Sequence, residues 1–141
     1  PDQIDECAAL ASRLGIGDQL RVQGRVPGAE IPQALARADL GICIWEDQPW
    51  WRFNPPTKLF EYLLAGLPVL GSRIRTHTEY VRDWHNGVIF DYDATSLAQA
   101  LDAVWARRDE LPALAKTAHR DAQCYRWDAI EPVFLGAVDG A

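Results

Sequence analysis

The sequence predicts an α/β fold, a doubly wound parallel sheet with helices on both faces. Three observations carry that expectation. Short apolar runs at 39–45 and 68–72 read as buried strands, and 88–92 reads as another strand. Segments with apolar residues at helical spacing separate them. The connections are short, with no internal repeat, low-complexity tract or linker.

Residues 3–14 place Ile4, Ala8, Ala11 and Leu14 at helical intervals, and Gly15 supplies a stop. Residues 19–24 (QLRVQG) alternate apolar and polar side chains, which predicts a short strand, and Gly24 opens a turn. A helix is expected over 29–37, with Ile31, Leu35 and Ala38 on one face. The run 39–45 (DLGICIW) is the second strand. Residues 46–56 hold three prolines and no consistent period, so they read as a loop.

Thr57–Ala65 is a short helix stopped by Gly66, with Thr57 as a candidate cap. Strand 68–72 (PVLGS) follows, then a helix from about Thr78 to Trp84 and a turn at His85-Asn86-Gly87. After strand 88–92 (VIFDY), Asp93 or Thr95 caps a helix over 95–107. The remainder predicts two helices, about 110–123 and 127–137, divided near Arg126-Trp127. Because the order opens on a helix, a first βα unit is expected to be missing from the front.

The 141 residues fit one domain, 1–141. Composition is 48% hydrophobic and 24% charged, which excludes wholesale disorder. The formal charge is 14 − 20 = −6, which argues against a nucleic-acid partner and against adhesion to anionic lipid by charge alone. No apolar run approaches the ~20 residues of a membrane span, and the first residues lack the pattern of a signal peptide. Cys7, Cys43 and Cys124 form no CxxC pair, so a reducing cytoplasm is expected. His77, His85 and His119 show no metal-ligand spacing, so no structural zinc site is expected. The chain contains no methionine and reads as a piece of something longer.

Open parallel sheets bind ligands at the carboxyl ends of their strands. Three such edges are informative: Gly24-Arg25-Val26-Pro27, the loop 46–56, and Gly71-Ser72-Arg73. The loop leads into Pro55-Pro56-Thr57-Lys58-Leu59-Phe60-Glu61, where free backbone N–H groups at a helix start favour an anion such as phosphate. Lys58 in the first turn is unfavourable for the helix alone and hints at an anion before it. Glu61, one turn on, leans back toward that mouth and could accept hydrogen bonds from ribose-like hydroxyls. Spacing alone favours the plainer reading, with Leu59, Phe60, Leu63 and Leu64 as core stripe and Lys58 and Glu61 as the solvated face.

The segment PPTKLFEYLLAGLPVLGS, followed by HTEYVRDWHNGVIFDYD, resembles the C-terminal half of group 1 glycosyltransferases, the GT-B family that retains anomeric configuration. QLRVQGRVPGAEIPQALARADLGICIW is similar to the strand-turn-helix-strand preceding that signature, and the closing Trp127 helix to the family's returning helix. The resemblance implies a Rossmann-like half of a GT-B fold lacking its first strand, binding a nucleotide-sugar donor for transfer of a hexose or related sugar to a glycan or lipid-linked acceptor. Its donor-site residues are Glu61, Lys58, Thr57, Arg25, Val26 and Phe53. Glu61 matches the second of the family's two glutamates, which holds the ribose; the first falls at Phe53, which is not a carboxylate. The resemblance further implies no cofactor and no metal, an absent N-terminal domain with a peripheral membrane contact at the inner face, a role in polysaccharide biosynthesis, and an inactive isolated fragment. A dimer through an exposed sheet edge is the remaining expectation.

A different class, a non-catalytic nucleotide-binding or regulatory module, stays open; a receiver-type version lacks acidic residues clustered at the strand ends. Trp50, Trp51 and Phe53 could stack on a sugar or base, or equally cover an interdomain surface. Adjacent Glu46 and Asp47 read as a solvated loop, Glu79 as an anchor of helix or loop, and His119 as inert. Cys43 should behave as a small buried hydrophobe. Ser72 has no nucleophile elbow and no evident His/Asp partner.

Overall fold

The computed structural model describes residues 3–140. They fall into two compact units divided at Ile31/Pro32.

In the first unit, helix α1 (Gln3–Arg13) is stopped as expected by Gly15, whose φ of 71° takes the left-handed turn that ends a helix cheaply. The strand expected at 19–24 does not form. Residues 20–27 carry no regular structure, and Leu20 and Val22 are exposed at 45% and 40%. Alternation specifies an extended chain, but a strand also needs a hydrogen-bonded neighbour, and none pairs with this segment among the described residues. The helix expected over 29–37 is shorter and split: a 3-10 turn at Gly28–Glu30 runs into α2 (Ile31–Leu35).

The second unit carries the sheet. Strands β1 (Gly41–Cys43), β2 (Val69–Ser72) and β3 (Gly87–Phe90) are parallel and lie in that order, so among the described residues three strands form where four were expected. Ile42 pairs with Leu70 and Leu70 with Val88, which fixes the faces. Cys43, Val69 and Ile89 pack against Leu59 and Leu63 of α3 (Thr57–Leu64) and Ala118 and Ala122 of α6 (Leu111–Ala122). Leu70, Val88 and Phe90 face the other way, onto Val104 of α5 (Ala94–Ala106). Helices therefore cover both faces, the doubly wound arrangement expected from the sequence. Gly41 is required where it stands, because a Cβ there would overlap the Tyr62 ring.

Two further expectations need correction. The helix placed at Thr78–Trp84 instead occupies Arg75–Thr78 (α4). Asn86 explains the stop: its side chain accepts the Arg82 N–H at 2.7 Å and donates to the Tyr80 carbonyl at 2.9 Å, taking groups a continued helix would use. Trp84 follows at a φ of 50°, outside helical geometry, with its ring 3.5 Å from the Arg107 guanidinium. Thr57 is not a cap either. The cap position is Pro56, in extended conformation, and Thr57 is already the first helical residue, where its hydroxyl has no capping bond. The choice between Asp93 and Thr95 falls to Asp93, which accepts the Ser96 N–H at 2.8 Å. Helix α7 (Trp127–Asp139) completes the chain, and no helix among the described residues is long and apolar enough to cross a membrane.

Candidate functional site

Because the strands are parallel, their carboxyl ends share one edge, and α3, the crossover from β1 to β2, starts at that edge. Its first turn follows Pro55 and Pro56, and the Leu59 N–H closes on the Pro56 carbonyl at 3.0 Å. Leu59 and Leu63 are 0% and 1% exposed against the sheet, which turns Lys58 and Glu61 outward. Thr57, Lys58 and Glu61 are exposed and make no side-chain hydrogen bond or ion pair among the described residues. One face of the helix thus offers a cation in its first turn and a carboxylate one turn later, beside backbone N–H groups that carry the positive end of the helix dipole. Beneath them, burial pushes the Cys43 thiol up to about 11, against the opposing pull of Lys58. Tyr62 is raised by burial, with Cys43 and Glu61 adding to it.

The aromatic loop lies on the same edge. Trp51 packs on Trp45 with ring centres 4.2 Å apart, so it is loop core rather than a free platform. Trp50 and Phe53 are exposed, at 66% and 78%, and the Arg75 guanidinium stands 5.0 Å from the Phe53 ring. Asp47 pairs with Arg52 at 3.4 Å across the exposed loop. Arg73 bonds Asp91 at 2.6 Å, tying the exits of β2 and β3. Arg25, exposed, and Val26, half-buried, belong to the irregular segment 20–27 of the first unit.

Several anchors lay outside the sequence reading. Ser72 Oγ accepts the Trp45 N–H at 2.9 Å and donates to the Trp45 carbonyl at 2.6 Å. Ser72 does have a histidine neighbour, since His77 Nδ1 lies 3.4 Å from Oγ, contrary to expectation. That ring nevertheless points its Nδ1–H at the Ser72 carbonyl, 2.9 Å away, and the hydroxyl proton is already given to Trp45. No nucleophile is activated there. His77 is fully buried and its pKa lowered, by burial first, with the Ser72 bond opposing. His119 is not idle: its Nδ1–H donates to the Leu64 carbonyl at 2.7 Å, closing the last turn of α3 from α6. Glu79 pairs with Arg75 at 2.6 Å, the anchoring role expected of it.

A cavity of about 220 Å³ opens at the carboxyl edge between Ile44, Phe90, Tyr92 and Leu97. A larger apolar groove of about 560 Å³, walled by Leu40, Leu67, Leu101, Trp105 and Leu111, lies at the amino edge, away from the charged helix face. Among the described residues no three His, Cys, Asp or Glu side chains converge as metal ligands.

Residues 1–107 match the family model described as Glycosyl transferases group 1. The fold is similar to that of sucrose-phosphate synthase from Thermosynechococcus elongatus, with a TM-score of 0.79 and 17% identity over 97% of this chain and 35% of that one. It is equally similar to Anabaena HepE in complex with UDP-glucose, with a TM-score of 0.78 and 20% identity over 98% of this chain and 37% of that one. The HepE complex with UDP and glucose gives 0.79 and 20% over 98% and 36%. The chain spans about a third of the length of these proteins. No curated protein matches it.

Proposed function

The chain belongs to the group 1 glycosyl transferases, and from that premise we propose that it is the donor-binding domain of a retaining GT-B enzyme that transfers a hexose or related sugar. One observation carries the proposal: Lys58 and Glu61 stand unpaired on the exposed face of α3, at the ligand-binding edge of a parallel sheet. The donor's diphosphate sits before the first turn, where the helix end supplies about half a positive charge and Lys58 a full one. Glu61 accepts the ribose hydroxyls. Phe53 lies toward the sugar, giving an apolar ring face in place of a carboxylate.

A second, acceptor-binding domain of the same protein closes the cleft. That domain would bring any contact with the inner face of the membrane and the glycan or lipid-linked acceptor. The small share of the matched structures that this chain spans supports the division. With the diphosphate charge met by a helix end and Lys58, transfer proceeds without a resident metal, and chelator should leave activity of the full-length protein unchanged. Titration of the full-length protein with nucleotide sugars and with simple nucleotides tests the proposal. Tighter binding of a nucleotide sugar supports it, and absence of binding to either class overturns it.

A further inference from the structure

We infer that His77 is a positioning residue for the aromatic loop 45–53, and through that loop for the sugar end of the donor. The inference rests on the donor-site reading above.

The last ladder pair between β1 and β2 is Cys43 with Gly71. Beyond it, the Ser72 hydroxyl holds the exit of β1 by bridging both backbone groups of Trp45. Ser72 is itself held from beneath by the His77 Nδ1–H on its carbonyl. The His77 ring lies 6.1 Å from the Trp45 ring, which in turn supports Trp51. Two residues further back in α4, Arg75 stands over Phe53. The single turn 75–78 therefore reaches the loop at both ends, through His77 at Trp45 and Arg75 at Phe53.

Packing alone does not account for a histidine here. The side chain is 0% exposed, yet among the described residues its Nε2 has no hydrogen-bond partner, and neither has the buried Oγ1 of neighbouring Thr76. Leaving a buried acceptor unpaired is costly, and a leucine would fill the space without that cost. What the imidazole supplies and leucine cannot is the Nδ1–H that fixes Ser72. A loop shift of an ångström at Trp45 would be carried to Phe53, and displacement on that scale is enough to spoil contacts with a bound sugar.

The test compares His77→Leu and His77→Asn in the full-length protein, with UDP and UDP-glucose as probes in calorimetry and melting temperature measured alongside. The asparagine amide N–H can take the place of Nδ1–H; leucine offers no donor. His77→Leu should weaken UDP-glucose roughly ten-fold or more while UDP changes less than about three-fold, with His77→Asn recovering most of the loss. If His77→Leu does not fold, Ser72→Ala, which removes both bonds to Trp45, carries the same comparison. Equal loss of both ligands, no loss of either, or failure of His77→Asn to recover the sugar increment would overturn the inference. Wild-type protein that binds neither these probes nor any other nucleotide or nucleotide sugar overturns the donor-site reading on which it rests.

Discussion

Gly87 approaches Val69 so closely that a Cβ on it would overlap the Val69 carbonyl oxygen. The two are register partners at the start of the β2–β3 ladder, so the glycine lets the strands meet over the packed Val81 side chain. Gly87→Ala must push backbone against backbone. It should lower stability by about 1–3 kcal/mol or more, read as a fall in the urea midpoint. An unchanged midpoint would mean that β3 does not pair as described.

Asp93 and Thr95 give a sharper local test. Asp93 alone holds the Ser96 N–H at the start of α5. Asp93→Ala should cost about 1 kcal/mol, whereas Thr95→Ala, exposed within the first turn, should change stability by less than about half of that.

What the amino-acid pattern discloses here follows the range of the interactions involved. The runs containing Val69–Ser72 and Gly87–Phe90 are buried throughout, and such strands announce themselves as apolar stretches. Their ends are less legible: Ile44 is as apolar as Ile42, but pairing stops at Cys43. The failures at 19–24 and 78–84 share a cause. Local period says what a segment can be, while a missing strand partner or the Asn86 side chain decides what it becomes. The exposed face of α3 was legible because the spacing of Leu59 and Leu63 sets it. The Ser72–Trp45 bonds span 27 residues, and no local pattern records them.

Acidification should expose His77. Its pKa in the folded chain is lowered from 6.5, so below that value the unfolded chain binds the proton more readily. The associated stability is complete above about pH 6.5 and is lost as pH falls from there through the folded-state pKa. The melting temperature of wild type should drop over this range relative to its value at pH 8. His77→Phe should show a smaller drop. Parallel pH profiles would mean that the buried ring is not titrating.

The three thiols should separate by reactivity. Cys7 and Cys124 are exposed, whereas Cys43 is buried and its pKa stands at about 11. Ellman's reagent at pH 8 should therefore consume the two exposed thiols promptly, and Cys43 only after denaturant is added. Prompt reaction of Cys43 would show that the β1 region opens readily.

The account turns on Glu61, and the paired variants Glu61→Ala and Glu79→Ala of the full-length protein test it most directly. Both glutamates are exposed, but only Glu79 has a partner, Arg75 at 2.6 Å. Nucleotide-sugar affinity by calorimetry and melting temperature are measured on the same samples. Hydrogen bonds to a charged group are worth ~1.5–3 kcal/mol each, so Glu61→Ala should weaken donor binding at least ten-fold. Its melting temperature should barely move, because exposed substitutions of this kind fall within about 0.5 kcal/mol. Glu79→Ala should leave donor affinity largely intact. Unchanged affinity with a lower melting temperature for Glu61→Ala would make Glu61 an anchor of the fold and contradict the site.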